Sequence, residues 1–337
     1  MVPGLSSLSA ERDIGYELRK NENYWKQGQP YLDGINIQLI LEEATRVAAF
    51  KSGRLDDLTD GMPTGRIARD QLLKEISDQV NFYQWRSVSG LGNGMLFNTA
   101  KKPYSDMKVR KAVMMGIDWR GIEKVALEND SCVGSFMPPG GGWGMSCEDV
   151  AKLKGYRTPT AEDKAEAKKL LAEAGYGSGF ETTVLTGYSS NLDRISQLVQ
   201  PMLAEIGIKV NLRNLERTAY YSAMTNGDFE MNSMGAIASL NDPNDHIATW
   251  IICSGGRNYG KFCDPKVEDM FKQMSRELNP EKRKQMFREL DQYLLDQVPM
   301  VNTHAGGNGA NRKYVKGFIP MGGRHSQMLW ETVWLDK

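Results

Sequence analysis

The stretch from Thr160 to Leu215 reads TAEDKAEAKKLLAEAGYGSGFETTVLTGYSSNLDRISQLVQPMLAEIGIKVNLRNL, and it decides the fold. Thr160 and Asp163 have the spacing of a capping box, in which each side chain accepts the other's backbone N–H. Ala167, Leu170, Leu171 and Ala174 then fall on one helical face, and Gly175 suits the left-handed residue that ends a helix. Phe180, Thr182 and Val184 alternate with the period of a strand. Ile195, Leu198, Val199, Met202, Leu203 and Ile206 return to helical spacing and stop at Gly207. Pro201 removes one backbone hydrogen bond and is expected to kink or break that helix. Ile208, Val210 and Leu212 alternate again. Strand, helix and strand in so short a span make a crossover, which puts both strands parallel in one sheet. The expected class is α/β.

Outward from this unit, Ile14, Tyr16 and Leu18 alternate, as do Ile35, Ile37, Leu39 and Leu41, and both runs read as half-buried strands. A helix is expected from about Glu43, with Val47, Ala48 and Phe50 inward, stopping at Gly53. Residues 101–105 read as a loop centred on Pro103, followed by a helix from about Asp106 carrying Val109, Val113 and Ile117. From Cys132 to Tyr156 glycine and proline are dense, which predicts irregular loop. Val267, Met270, Phe271, Met274 and Leu278 define one late helix. Asn279 and Pro280 start another, with Met286, Phe287, Leu290, Tyr293 and Leu294 on its apolar face.

Composition narrows the function classes. The 337 residues can bury one large core or two ordinary ones. Basic and acidic residues number 42 each, so no global field favours nucleic acid or acidic lipid. No apolar run is long enough to span a bilayer, and residues 1–10 lack the basic start and apolar core of a signal peptide. The four cysteines (Cys132, Cys147, Cys253 and Cys263) contain no CxxC, which argues against zinc and thioredoxin-type sites. They fit disulfides in an exported protein or buried thiols in a cytosolic one.

The common catalytic signatures are missing. His246, His304 and His325 are the only histidines, and no HExxH, HxH or GxSxG occurs. A metal site from His246, His304 and Asp242 is a minor alternative to polar residues in loops. Gly90, Gly92 and Gly94 lack the spacing and the following acid of a dinucleotide fingerprint, and read as a turning loop. Asp56 and Asp57 read as solvated surface, and the eighteen methionines as core filler. Neither a resident metal nor a cofactor is expected.

Several stretches resemble the family 5 extracellular solute-binding proteins, which include dipeptide, oligopeptide and nickel receptors. They are YELRKNENYWKQGQPYLDGINI, TRVAAFKSGRLDD, LFNTAKKPYSDMKVRKAVMMGIDWRGI, AKKLLAEAGY, LAEIGIKVNL, NGDFEMNSMG, NDPND, FCDPKVEDMF and VKGF, in the family's order over nearly the whole chain. The resemblance implies a two-lobed clamp of the type II binding-protein class that closes on a peptide or related solute in an interlobe cleft. It also implies a monomer in the periplasm or outside the cell, membrane-associated through the permease subunits of an ABC importer. On this pattern residues 1–100 belong to the first lobe, 101–303 form the second and 304–337 return to the first. Family members carry a signal sequence and a long segment ahead of the position matching Gly4. The resemblance therefore implies a first lobe that is incomplete, in a fragment or a chain begun at an internal methionine. The competing readings are a hydrolase with an unrecognised site and a fragment unable to bind ligand.

In peptide receptors of this family a strand with the pattern Gly-Trp-x-x-Asp pairs with the ligand backbone, and its aspartate holds the α-amino group. The matching stretch is Gly235, Ala236, Ile237, Ala238 and Ser239, just before Asp242-Pro243. Ala236 replaces the aromatic wall and Ser239 the counter-charge. Buried strand of small residues is the plain alternative. A ligand that is bulkier at that wall and has no buried free amine is favoured, unless Asp242 or Asp245 reaches the amine instead. Asn98 and His304, near the outward and return crossings, either face the ligand or serve their loops. The resemblance further implies a Cys253–Cys263 disulfide across SGGRNYGKF, with Cys132–Cys147 as a second pair across the glycine-rich loop.

Overall fold

The computed structural model describes residues 4–11, 14–59, 62, 66–85, 93–128, 131–187, 190–234, 240–305, 307–319 and 330–337. The chain divides into two units, Met1–Arg86 with Gly306–Lys337, and Ser87–Ala305.

In the first unit β1 (Leu5–Glu11), β2 (Gly15–Lys20) and β3 (Gly34–Gln38) form an antiparallel meander. Tyr16 stands opposite Ile37 and Leu18 opposite Ile35. Leu39 and Leu41, expected to prolong the strand, lie beyond it and are exposed. Helix α1 (Glu43–Lys51) begins where Glu42 accepts the Ala44 and Thr45 amides. Ala48 faces solvent and Ala49 takes the inward place expected of it. The cause is geometric, since a residue two places from buried Phe50 lies on the far side of the helix. Helix α2 (Arg66–Ile76) and β4 (Val80–Trp85) follow. Phe50, Leu58, Leu72, Ile76, Val80 and Ala310 make the small core.

The second unit comprises β5 (Gly94–Phe97), α3 (Met107–Gly116), α4 (Trp119–Val125), β6 (Ser131–Gly134) and α5 (Cys147–Val150). It continues through α6 (Ala161–Glu173), β7 (Phe180–Thr186), α7 (Ser190–Ala204), β8 (Ile208–Asn214) and α8 (Arg217–Thr225). It ends with β9 (Met231–Ser233), α9 (Pro243–Trp250), α10 (Pro265–Arg276), α11 (Pro280–Gln297) and β10 (Met300–Ala305). The chain then returns to the first unit, where β11 (Gly307–Arg312) pairs with β4, and β12 (Val315–Lys316) with β13 (Trp334–Leu335).

One six-stranded sheet, in the order β6-β10-β5-β9-β7-β8, organises the second unit. The expected crossover is present: β7 and β8 are parallel, Phe180 opposite Ile208 and Val184 opposite Leu212. The capping box at Thr160 and Asp163 starts α6, and Gly175 follows it at φ +89°. Of the kink or break expected at Pro201, the break does not occur: helix α7 runs through it to Ala204, with Pro201 on its exposed side. Residues 132–156 are more ordered than their composition predicts. Strand β6 pairs with β10 at the sheet edge, a 3-10 turn spans Pro139–Gly141, and α5 follows. Leu278, expected on a buried helical face, is 93% exposed, because α10 ends at Arg276 and the chain is already extended at Glu277. Both expected disulfides are bonded, with Cα separations of 4.6 Å for Cys253–Cys263 and 6.0 Å for Cys132–Cys147.

Arg110 on α3 clasps the end of α11. Its guanidinium donates to Gln297 O at 2.9 and 3.1 Å, Val298 O at 3.1 Å and Tyr104 O at 2.8 Å. Helix termini leave carbonyls without intrahelical donors, and this one buried cation serves several. Burial lowers its pKa to about 10, so it stays charged at neutral pH. Replacing Arg110 with Met is expected to cost about 3 kcal/mol, because charge-assisted bonds are lost and buried carbonyls are stranded. Urea unfolding checks this, and an unchanged midpoint would show that the clasp is dispensable.

Candidate functional site

The strand directions define one end of the second unit's sheet. Strand β9 is parallel to β7 and antiparallel to β5, and β5 is antiparallel to β10. The carboxyl ends of β7, β8, β9 and β10 therefore lie together, beside the starts of β5 and β6. The chain passes from β7 through α7 to β8 on one side, then through α8 to β9 on β7's other side. That lateral reversal makes a topological switch point, the place where open α/β sheets bind ligands. Residues 235–239, the stretch matched to the peptide-pairing strand, continue from this end of β9 and lie outside the described residues. The same holds for Gly90 and Gly92.

The frame around that end is polar and buried. Tyr220 on α8 donates to Asn232 Oδ1 at 2.7 Å and to Ser233 O at 3.1 Å, and Ser233 Oγ donates to Leu192 O at 3.0 Å. Asn232 Nδ2 is buried with no hydrogen-bond acceptor among the described residues. On the far side of the stretch Asp242 caps α9, accepting from Asn244 N at 2.8 Å. Both its oxygens also take a fork from Arg283, at 2.6 and 2.9 Å. Burial alone would push the Asp242 carboxyl up, but these bonds hold it below the usual carboxylate range. Asp245 accepts the Leu240 amide at 3.1 Å.

Asn98 and His304 have internal partners. Asn98 donates to Gly227 O at 3.1 Å and Phe229 O at 3.0 Å, and accepts from Ala100 N at 3.2 Å. It thereby ties the end of β5 to the turn before β9. His304 lies on β10 opposite Cys132, with its Nε2 2.7 Å from Ser135 O. A carbonyl only accepts, so Nε2 carries the proton and donates. Nδ1 is a buried acceptor with no partner among the described residues. The ring fits because Gly134 has no side chain; a Cβ there would stand 2.1 Å from His304 Cδ2.

Two other titratable groups, His246 and Asp291, are also buried. His246 on α9 packs edge-on to Phe136 at 6.4 Å, and neither ring nitrogen has a hydrogen-bond partner among the described residues. Burial, reinforced by His304, lowers its pKa to about 3; burial lowers that of His304 to about 4. Asp291 on α11 accepts Phe136 N at 2.8 Å, and burial raises its pKa to about 7. Sequence reading missed Asp291, although its place four residues after Phe287 and three before Leu294, on the apolar stripe, marked it as buried. His246, His304 and Asp242 do not form a metal site: Asp242 is committed to Arg283, and no cluster of three or more His, Cys, Asp or Glu suited to a metal occurs among the described residues.

Comparison with known proteins agrees with this architecture. The model of the bacterial extracellular solute-binding proteins, family 5 (middle), matches residues 9–258. The chain belongs to that family. The dipeptide-binding protein of Escherichia coli (strain K12) is 25% identical over 327 residues, which cover 94% of this chain and 58% of that protein. Among solved structures, the PBP AgaA from A. tumefaciens R10, in complex with agropinic acid, matches with a TM-score of 0.81 and 24% identity, over 99% of this chain and 67% of its own. The periplasmic binding protein DppA from Helicobacter pylori, in complex with the peptide STSA, matches with a TM-score of 0.80 and 23% identity, over 99% and 63%. The chain thus spans little more than half of the curated dipeptide-binding relative.

The buried trio makes stability depend on pH in opposite senses. Unfolded, each histidine holds a proton below about pH 6.5; folded, His246 stays neutral down to about 3 and His304 to about 4. Both therefore destabilise the fold as pH falls below 6.5. Asp291 is protonated in the fold up to about pH 7 but ionised in the unfolded chain above about 3.9, so its contribution is lost as pH rises towards 7. In His246→Phe one histidine's share disappears. Its stability relative to wild type is expected to improve by about 1.4 kcal/mol per pH unit below 6.5. Urea titrations between pH 4.5 and 7 measure this, and parallel curves for the two proteins would refute it.

Proposed function

We propose that this chain is the solute-binding part of an ABC importer of peptides or related solutes, acting in the periplasm or outside the cell with the importer's permease subunits as partners. It is read as a receptor without catalytic turnover. The observation that carries this is the family match over residues 9–258 on a chain whose connections reverse laterally about β7. Relatives and structural neighbours are named for binding a dipeptide, the peptide STSA and agropinic acid.

On this reading Gly235, Ala236, Ile237, Ala238 and Ser239 line the solute, while Asn98 and His304 support the frame beneath it. Ser239 offers no counter-charge to a free α-amino group, and burying an ammonium without one is costly. Arg283 bonds both oxygens of Asp242, which disfavours it as a substitute, while Asp245, which accepts the Leu240 amide, stays the competing acid beside the stretch. Ala236 leaves space where peptide receptors have an aromatic wall. Together these favour a solute that is broad at that wall and lacks a buried free amine, such as a modified peptide, a sugar-bearing compound or an opine-like conjugate.

Calorimetry with trialanine and N-acetyl-trialanine tests the argument on wild type and Ser239→Asp. Acetylation is expected to change wild-type affinity little, and the free peptide to gain about tenfold in the variant, or about 1.4 kcal/mol. Tight wild-type binding of free trialanine that acetylation abolishes would sink the argument about the amine.

A further inference from the structure

Helices α3, α6 and α11 and the loop after α5 enclose a cavity of about 380 Å³ in the second unit. Val298, part of its lining, comes two residues before β10 begins at Met300. The carboxyl end of β10 lies at the switch point, so the cavity belongs to the opposite end of the sheet. Polar bonds tie its four walls into a ring. On α3, Arg110 donates to Gln297 O on α11, and Lys111 pairs with Asp296 at 2.6 Å. Tyr156, in the loop, donates to Leu295 O on α11 at 3.0 Å. Lys154, in the same loop, pairs with Glu166 on α6, and Lys108 closes the ring from α3 to Glu173 on α6 at 2.9 Å. Exposed ion pairs hold little individually, but Arg110 and Tyr156 are buried and fix the spacing of the walls.

Met114, Met115, Leu153, Leu170, Leu295 and Val298 make the interior of the cavity apolar. The charged lining residues Lys111, Asp296, Lys154 and Glu166 stand at the mouth, since their side chains are between 29% and 59% exposed. Each cation there holds its own carboxylate. Gln292, exposed on α11 in the same lining, has no hydrogen bond among the described residues.

We infer that this cavity is a binding site for a neutral, flat aromatic molecule of two fused rings that carries one N–H or O–H group. Its volume is more than twice the roughly 150 Å³ of an apolar cavity that takes benzene. Two methionine sulfurs and the Tyr156 ring in the lining favour aromatic over aliphatic guests. A charged guest would have to break an ion pair at the mouth or enter without a partner, and both are costly. The Gln292 amide can meet a single donor or acceptor on the guest. The inference stands apart from the proposed solute site, at the other end of the sheet.

Indole is the probe, with indoleacetate and tryptamine as its anionic and cationic counterparts. Calorimetry on the whole chain is expected to show one saturable indole site, with both charged analogues at least about tenfold weaker. In protein labelled at its methionine methyl groups, indole should move the Met114 and Met115 signals, identified through Met114→Leu and Met115→Leu. Gln292→Ala, a change at an exposed position, should weaken indole about fivefold, the value of one hydrogen bond. Leu170→Trp, which places a ring in the cavity, should abolish binding. No saturable binding up to the solubility of indole would overturn the inference, as would shifts confined to other methionines. A charged analogue that binds as tightly as indole would overturn the neutral class. Should Leu170→Trp fail to fold, the methionine shifts and Gln292→Ala still decide.

Discussion

Three residues, Met231 to Ser233, hold the second unit's sheet together. On one side β9 pairs in parallel with β7, and on the other it pairs antiparallel with β5. Without it the crossover pair β7 and β8 would be a separate ribbon from β5, β10 and β6. All three side chains are fully buried, two of them polar. Burying polar groups costs least when hydrogen bonds replace those to water, and Tyr220 and Leu192 supply them for Asn232 Oδ1 and for Ser233, while Asn232 Nδ2 has no acceptor among the described residues. So short a strand cannot rely on ladder length. Its side-chain bonds to α8 and α7 compensate, and they fix the end of the sheet from which the proposed solute-lining stretch departs.

The parts of this fold that were legible in the sequence share a physical cause. Thr160, Asp163 and Gly175 announce helix ends through local chemistry, and Phe180 to Val184 and Ile208 to Leu212 announce strands by period. Those signals depend on near neighbours in the chain, so one sequence carries them. Strand β6 was hidden because glycine and proline around it suggest loop, whereas its order comes from pairing with β10, far along the chain. Leu278 misled because helical spacing continued past the residue where the backbone turned extended.

The candidate site was less legible than the fold. Resemblance pointed to Gly235–Ser239, and Asp242 and His304 were singled out by type. What those side chains bond to could not be read. Asp242 was open to a metal or to the ligand's amine in the sequence, and in the structure Arg283, on α11, holds both its oxygens. Asn98 was open between facing the ligand and serving its loop, and the structure ties its amide to the backbone of the turn before β9. Arg283 gave no sequence signal at all, since its pairing with Asp242 is a tertiary event.

The central position of β9 and β5 also bears on how the second unit assembles. The β7–α7–β8 crossover closes over a short stretch of chain and can form early. Strand β5 must find β9 and β10, with Leu96 facing both Asn232 and Met300 across most of the unit's sequence. Such pairings close large loops before they are rewarded, which places them late and makes them slow. Until β5 arrives, β9 presents an unpaired edge. The nascent unit is therefore most exposed to wrong partners at the same strand that, once paired, unifies its sheet.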